Sequence, residues 1–340
     1  MDIKSSVIKK ISLRSVVSKY AMLLIFIGIV IIFGIVNPRF LSWMNIRNLI
    51  VQNSYIVVTT VGLSFVMMSG ALDLSVGYQV SVIGVLVARL MTQWSEPVWV
   101  AVLAGILAGV FMGFFNGGTS VLTKIDPLVV TIATMTVFRG IANILSGGLS
   151  FNNFPASFRA VTLGSFLGIP TDIWIAIGAI LVASIVYNFT YFGRYIKAMG
   201  GNIEATRLAG VNVNIMRIAT FMISGFFIAI ASFIYISKLA TTNASYGPGI
   251  EFTAMTAAIL GGISFNSGEG KMWGLVVGVF TLAVIENGMQ LAGWNQYLQY
   301  VIKGLILILA ISFDNYQRTQ KVRKNTKTPQ TGKKTTEEKE

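Results

Sequence analysis

The sequence predicts an all-α polytopic membrane protein of about ten transmembrane helices, on three observations. Hydrophobic residues fill 54% of the 340 positions and charged residues only 11%, against roughly 25% charged in an average soluble domain. The chain carries 34 glycines at a mean hydropathy of +0.72, a combination that membrane helices tolerate better than soluble ones. Apolar runs close to the ~20 residues needed to cross a ~30 Å hydrocarbon core recur from one end to the other.

The first such run lies at 20–36. Lys4, Lys9, Lys10, Arg14 and Lys19 precede it, as in a signal peptide, but the run is too long for a signal core. Asn37-Pro38-Arg39-Phe40 follows in place of a small-residue cleavage site, so a retained helix is expected. Further spans are placed near 46–69, 74–92, 97–122, 127–145, 172–191, 215–236, 252–263, 272–289 and 297–313, the shortest being 252–263. Trp43, Trp94, Trp99 and Trp273 fall near span ends, where indole rings anchor at the interface.

The net charge of +13 is concentrated in the two tails. Residues 1–20 hold five Lys/Arg against one Asp, and residues 315–340 hold eight against three Glu. Basic residues that flank apolar spans fit the positive-inside rule, not a nucleic-acid surface. Both termini are therefore expected in the cytoplasm, which an even number of spans requires. The resulting division is a basic cytoplasmic segment over 1–19, a transmembrane domain over 20–314, and a basic tail over 315–340. That tail has too little apolar surface to offset its ordering entropy and is expected to be disordered.

In this arrangement the loop 192–214, with Arg194, Lys197 and Arg207, faces the cytoplasm. The loop 146–171 faces outward and offers the apolar stretch Phe166-Leu167-Gly168-Ile169-Pro170 as a docking surface. A short internal echo links Ser69-Gly70-Ala71-Leu72-Asp73-Leu74-Ser75-Val76-Gly77 with Leu260-Gly261-Gly262-Ile263-Ser264-Phe265-Asn266-Ser267-Gly268, as in transporters with duplicated halves.

The chain has no Cys and no His, which removes disulfides, thiolate and imidazole metal sites, and Ser-His-Asp chemistry. Gly268-Glu269-Gly270-Lys271 runs into Met272 and lacks the first glycine of a phosphate-binding loop. No cofactor is expected, and any ATP must be bound by another chain. Asp73 can cap the helix that begins at Leu74 or act in a gate. Arg139, Glu286 and Lys303 lie inside spans and should pair, snorkel or face water. Gln52, Asn53, Ser54, Thr59, Thr60, Asn287 and Gln290 are uncharged polar groups suited either to a neutral hydroxylated solute or to interhelical bonding.

Over nearly the whole chain, from Asn37-Pro38-Arg39-Phe40-Leu41 with Asn45 and Asn48 to Asp314, the residues resemble the permease subunits of ribose-type ABC importers. The strongest pieces are Gly70-Ala71-Leu72-Asp73-Leu74-Ser75-Val76-Gly77, Gly193-Arg194-Tyr195-Ile196-Lys197-Ala198-Met199-Gly200-Gly201-Asn202 with Ala205-Thr206-Arg207-Leu208-Ala209-Gly210-Val211-Asn212-Val213, and Gly261-Gly262-Ile263-Ser264 through Gly268 and Gly270. Ser267 and Glu269 stand where the family more often has a glycine and a basic or small residue. The resemblance implies a ten-helix subunit similar to the vitamin B12 type of import permease, in the cytoplasmic (inner) membrane, importing a monosaccharide or related small polar solute. It also implies its partners: a second permease subunit, a cytoplasmic ATPase and an extracytoplasmic substrate-binding protein.

Within that reading, Gly200, Gly201, Asn202, Glu204, Ala205, Arg207 and Gly210 form the coupling element to the ATPase. Its physics is compatible, with Asn202 as N-cap, Glu204 in the first turn and Gly210 as terminator. Candidates for the path or gate are Gln52, Asn53, Asp73, Ser75, Gly261, Gly262, Ser264 and Asn287. The alternatives are the same architecture importing a nucleoside or other non-sugar solute, and an ion-coupled secondary transporter in which Asp73 and Glu286 titrate.

Overall fold

The computed structural model describes residues 13–264 and 268–326. Residues 1–12, the echo residues Phe265, Asn266 and Ser267, and residues 327–340 lie outside the described residues.

The chain opens with α1 (Leu13–Val36), which ends where Pro38 begins a 3₁₀ turn (Pro38–Leu41) capped by Asn37 Oδ1 accepting from Arg39 N at 3.0 Å. Next come α2 (Trp43–Gln52), α3 (Ser54–Met68), α4 (Val76–Thr92), α5 (Val98–Thr123) and α6 (Pro127–Ser146). A connection follows, made of β1 (Phe151–Asn152), α7 (Ala156–Leu163), β2 (Ser165–Phe166) and β3 (Ile169–Pro170). The remainder is α8 (Thr171–Phe189), α9 (Tyr191–Gly201), α10 (Ile203–Leu208), α11 (Val213–Leu239), β4 (Thr241–Thr242), α12 (Ile250–Leu260), α13 (Met272–Leu291) and α14 (Gln296–Thr326).

Among the described residues, seven helical segments are long and apolar enough to cross a membrane, and three shorter apolar helices, at Leu23–Val36, Val76–Thr92 and Ile250–Leu260, occupy the other expected positions. Several expectations need adjustment. The span at 46–69 is broken at Asn53, whose φ of −98° and ψ of 3° separate α2 from α3. The helix placed at 74–92 starts at Val76, and the one at 252–263 is the 11-residue α12, only about 16 Å long at 1.5 Å per residue. α14 runs on past the last expected span as far as Thr326.

The centre of the body is built from α3, α4, α5 and α11. From Ile56 to Met68 every residue of α3 is buried, which only a helix surrounded by protein can achieve. α5 presses on α11 through glycines spaced by four, Gly105, Gly109, Gly113 and Gly117. A Cβ at Gly109 would stand 2.4 Å from Gly225 O, and one at Gly113 2.2 Å from Phe221 O. Small residues on one stripe let two membrane helices approach backbone to backbone. Large apolar side chains of α1, α5, α6 and α14 remain exposed on the outside, as a lipid-facing shell requires.

The two long connections lie at opposite ends of this body. At one end β1 pairs antiparallel with β4, and Thr162 of α7 meets Ser237 of α11. At the other, α9 packs so closely that a Cβ at Gly200 would lie 2.2 Å from Met68 O and 2.4 Å from the Cα of Gly268. The two echo segments reach this second end with the same turn. Ala71 N bonds Val66 O at 3.2 Å and Gly70 N bonds Met67 O at 3.0 Å; Ile263 N bonds Ala258 O and Gly262 N bonds Ile259 O, both at 2.9 Å. Gly70 and Gly262 take φ of 77° and 83°, the left-handed conformation of a glycine helix stop. The turns superpose Gly70 on Gly262, one residue out of step with the echo in the sequence.

Candidate functional site

Polar side chains gather at three places. The first is a cavity of about 640 Å³ beside the α2–α3 break, lined among others by Asn53, Tyr55, Tyr235, Tyr246, Glu286 and Lys303. Tyr55 and Tyr235 pack with ring centroids 4.6 Å apart, and the Tyr235 hydroxyl donates to Tyr246 O at 3.0 Å. Glu286 and Lys303 form an ion pair at 2.8 Å, so the cavity combines aromatic faces and amide groups with no net charge from that pair. Behind the tyrosines, Lys238 Nζ meets Asp172 Oδ2 at 2.5 Å and donates to Ser54 Oγ at 2.7 Å and to Val51 O. Val51 O also accepts from Asn53 N and from Ser54 Oγ, so the lysine adds a third donor at the helix break.

The second place is the start of α4. Asp73 Oδ1 accepts from Ser75 N at 2.9 Å and from Ser75 Oγ at 2.6 Å, while Oδ2 accepts from Gln79 Nε2 at 3.0 Å. Ser75 Oγ accepts in turn from Gln79 Nε2 and from Asn116 Nδ2, each at 2.8 Å. The start of α12 abuts this network: a Cβ at Gly77 would stand 2.2 Å from Glu251 Oε2 and 2.7 Å from Gly247 O. Both Glu251 oxygens accept from Gly249 N at 3.0 Å. α12 is about half the ~30 Å hydrocarbon depth in length and ends at the α9 end, so the two helix starts meet near mid-depth.

The third place is the exposed α9–α10 corner. Asn202 caps α10, its Oδ1 accepting from Ala205 N at 2.9 Å. Glu204 and Arg207 pair at 3.2 Å on the surface, and Gly210 ends the turn with φ of 84°. Thr206 is buried and holds Asn202 O at 2.8 Å, whereas Leu208 is 88% exposed. Gly200 is locked between Met68 and Gly268, and Gly201 is exposed. An unpartnered leucine on a two-turn helix is an open apolar contact.

The path candidates are thus dispersed. Asn53 lines the cavity, and Asp73 and Ser75 sit in the mid-depth network. Gln52 is exposed at the end of α2. Gly261 touches Gly274, Gly262 forms the stop of α12, and Ser264 Oγ bonds Asp314 Oδ2 at 3.2 Å, all at the α9 end. Asn287 is bonded to Asn45. Of the charged groups inside spans, Glu286 and Lys303 pair with each other, and Arg139 is exposed on α6.

Sequence reasoning passed over Gln79, Asn116, Glu251, Asp172, Lys238 and the three tyrosines. Glu251 was missed because the span was drawn to start at 252, although an acid followed by an apolar run is a helix-start signal. The lysine of the Lys238–Asp172 pair was hidden likewise, two residues beyond the span drawn to 236.

Comparison with known proteins gives the family. Residues 45–311 match the family model described as "Branched-chain amino acid transport system / permease component". The L-arabinose transport system permease protein AraH of Escherichia coli is 37% identical over 303 residues, covering 89% of this chain and 92% of its own. The ribose import permease proteins RbsC of Bacillus subtilis and Haemophilus influenzae are 34% and 33% identical, covering 90% and 87% of this chain and 95% and 94% of their own. No solved structure matches. Since the family match spans most of the chain, and relatives of this identity are covered almost end to end, the chain belongs to the family of transport-system permease components.

Proposed function

We propose that this chain is the membrane-spanning subunit of an ATP-driven importer for a pentose or similar monosaccharide. The observation that carries the solute class is the tyrosine-lined cavity beside Asn53, in a chain whose relatives are named for L-arabinose and ribose. Aromatic faces and neutral donors suit a hydroxylated ring, and a permease must hold its solute weakly enough to release it. A free amino acid would call for separate unpaired charges to meet its carboxylate and ammonium, whereas Glu286 and Lys303 neutralise each other. Relatives named as transport-system and import permeases do not favour an ion-coupled secondary transporter.

In this reading ten spans cross the inner membrane, in a fold similar to the vitamin B12 type of import permease, with both termini in the cytoplasm. Two such subunits, identical copies or close paralogues, enclose the path. A cytoplasmic ATPase pair seats α10, and an extracytoplasmic binding protein docks at the connection between α6 and α8. Asn53 contacts the solute, and Asp73 and Ser75 set the mid-depth constriction that closes behind it. The turns at Gly261, Gly262 and Ser264, which share the α9 end with Gly200, move with the coupling element.

The test is reconstitution in proteoliposomes. The chain alone should neither hydrolyse ATP nor accumulate sugar, and both activities should appear with a matching ATPase and binding protein. Accumulation by the chain alone under a proton or sodium gradient would overturn the reading.

A further inference from the structure

We propose that the junction of α4 and α12 holds one monovalent alkali cation, bound by oxygens of Asp73, Glu251, Gln79 and Asn116. Asp73 is 1% exposed and Glu251 3%. Among the described residues neither is paired with a lysine or arginine. The carboxylates belong to one cluster: Glu251 Oε2 lies against Gly77, and Asp73 reaches the same turn of α4 through Gln79. Each sits at a helix start, which contributes about half a positive charge. Two carboxylates and two helix starts leave roughly one negative charge at mid-depth, where an uncompensated charge is poorly tolerated.

A second observation points to the same ligand. Ser75 has one hydroxyl proton, and at 2.6 Å it goes to Asp73 Oδ1. The lone pairs of Ser75 Oγ must therefore receive donors, which fixes the amides of Gln79 and Asn116 with nitrogen towards Ser75. Their oxygens, Gln79 Oε1 and Asn116 Oδ1, are fully buried and have no donor from the protein, a state that native proteins relieve with a bound water or ion. One proton on a carboxyl would supply a single donor and leave an amide oxygen unsatisfied. A cation bound by several oxygens serves all of them and cancels the remaining charge. Hard oxygen ligands suit an alkali or alkaline-earth ion. Two carboxylates offset by two helix starts leave about one negative charge, which matches a single monovalent ion. Bound there, it braces the Gly77–Gly247 contact at which the starts of α4 and α12 abut, next to the solute cavity that Tyr246, Pro248 and Gly249 line.

The purified full-length chain in nanodiscs should bind one ²²Na⁺, or ⁸⁶Rb⁺ as a stand-in for K⁺, per chain. Replacing choline by the bound ion at constant ionic strength should raise its melting temperature by about 3 °C or more. Glu251→Gln and Asp73→Asn should each weaken binding at least tenfold, and Asn116→Ala, which removes an orphan oxygen without touching a carboxylate, should weaken it several-fold. Failure of wild type to bind either ion overturns the proposal, whatever the variants do. Binding that persists in Glu251→Gln and Asn116→Ala overturns it too. Stability that follows pH but not alkali cations assigns a shared proton to the cluster and equally sinks the cation.

Discussion

Asn45 and Asn287 clasp each other through two reciprocal amide bonds, Asn45 Nδ2 to Asn287 Oδ1 at 2.7 Å and Asn287 Nδ2 to Asn45 Oδ1 at 3.0 Å. They join α2 to α13 across 242 residues of sequence. Both are half-buried. Each amide satisfies the other, and Asn45 Nδ2 also holds Phe40 O at 2.8 Å, so the pair acts as a fastening.

Breaking one side of that clasp should be worse than removing both. Asn287→Leu strands the Asn45 carbonyl oxygen and should cost about 1–3 kcal/mol, whereas adding Asn45→Leu should recover part of the loss. Thermal unfolding of the four proteins in detergent measures the coupling. A strictly additive pair would refute the clasp as an energetic unit.

The Lys238–Asp172 pair makes a sharper demand. Asp172 is fully buried, so Lys238→Met should destabilise by about 3–5 kcal/mol by leaving a buried carboxylate without its cation. Lys238→Met with Asp172→Asn should fold better than Lys238→Met alone. Yield of monodisperse protein and its melting temperature report both effects.

At the coupling corner, Ala205→Trp and Arg207→Glu should leave the chain inserted but lower ATPase co-purification or raise ATP hydrolysed per sugar imported. The intrahelical Glu204–Arg207 pair is exposed and worth only about 0.2–0.5 kcal/mol. Loss of that pair cannot unfold the chain, so normal assembly and uptake would remove α10 from the interface.

The absence of cysteine makes orientation simple to test. Single cysteines at Ser157 in α7 and Asn202 before α10 should react with an impermeant maleimide from opposite faces of sealed vesicles, Asn202 from the cytoplasmic face. Labelling from one face would defeat the topology.

What the sequence determined by itself was everything that depends on composition and local order. Span positions follow from runs of apolar residues, the cap of α10 from Asn202 and Gly210, and the stop of α1 from Asn37-Pro38. The family was legible in Gly70-to-Gly77 and Gly193-to-Val213, because such motifs are read residue by residue. Tertiary structure alone decided which polar groups meet. That Asn287 bonds Asn45, far away in the chain, was visible only in the fold. Glu251 and Asp73 became one site only when the short α12 and the delayed start of α4 brought two helix beginnings to the same depth. The spacing of Gly105, Gly109, Gly113 and Gly117 was open to view, but its partner on α11 was not. The reason is physical: a helix's existence is set by its own residues and the solvent around them. Close packing and hydrogen-bond satisfaction are properties of pairs, and the members of a pair carry no mark of each other until the chain has folded.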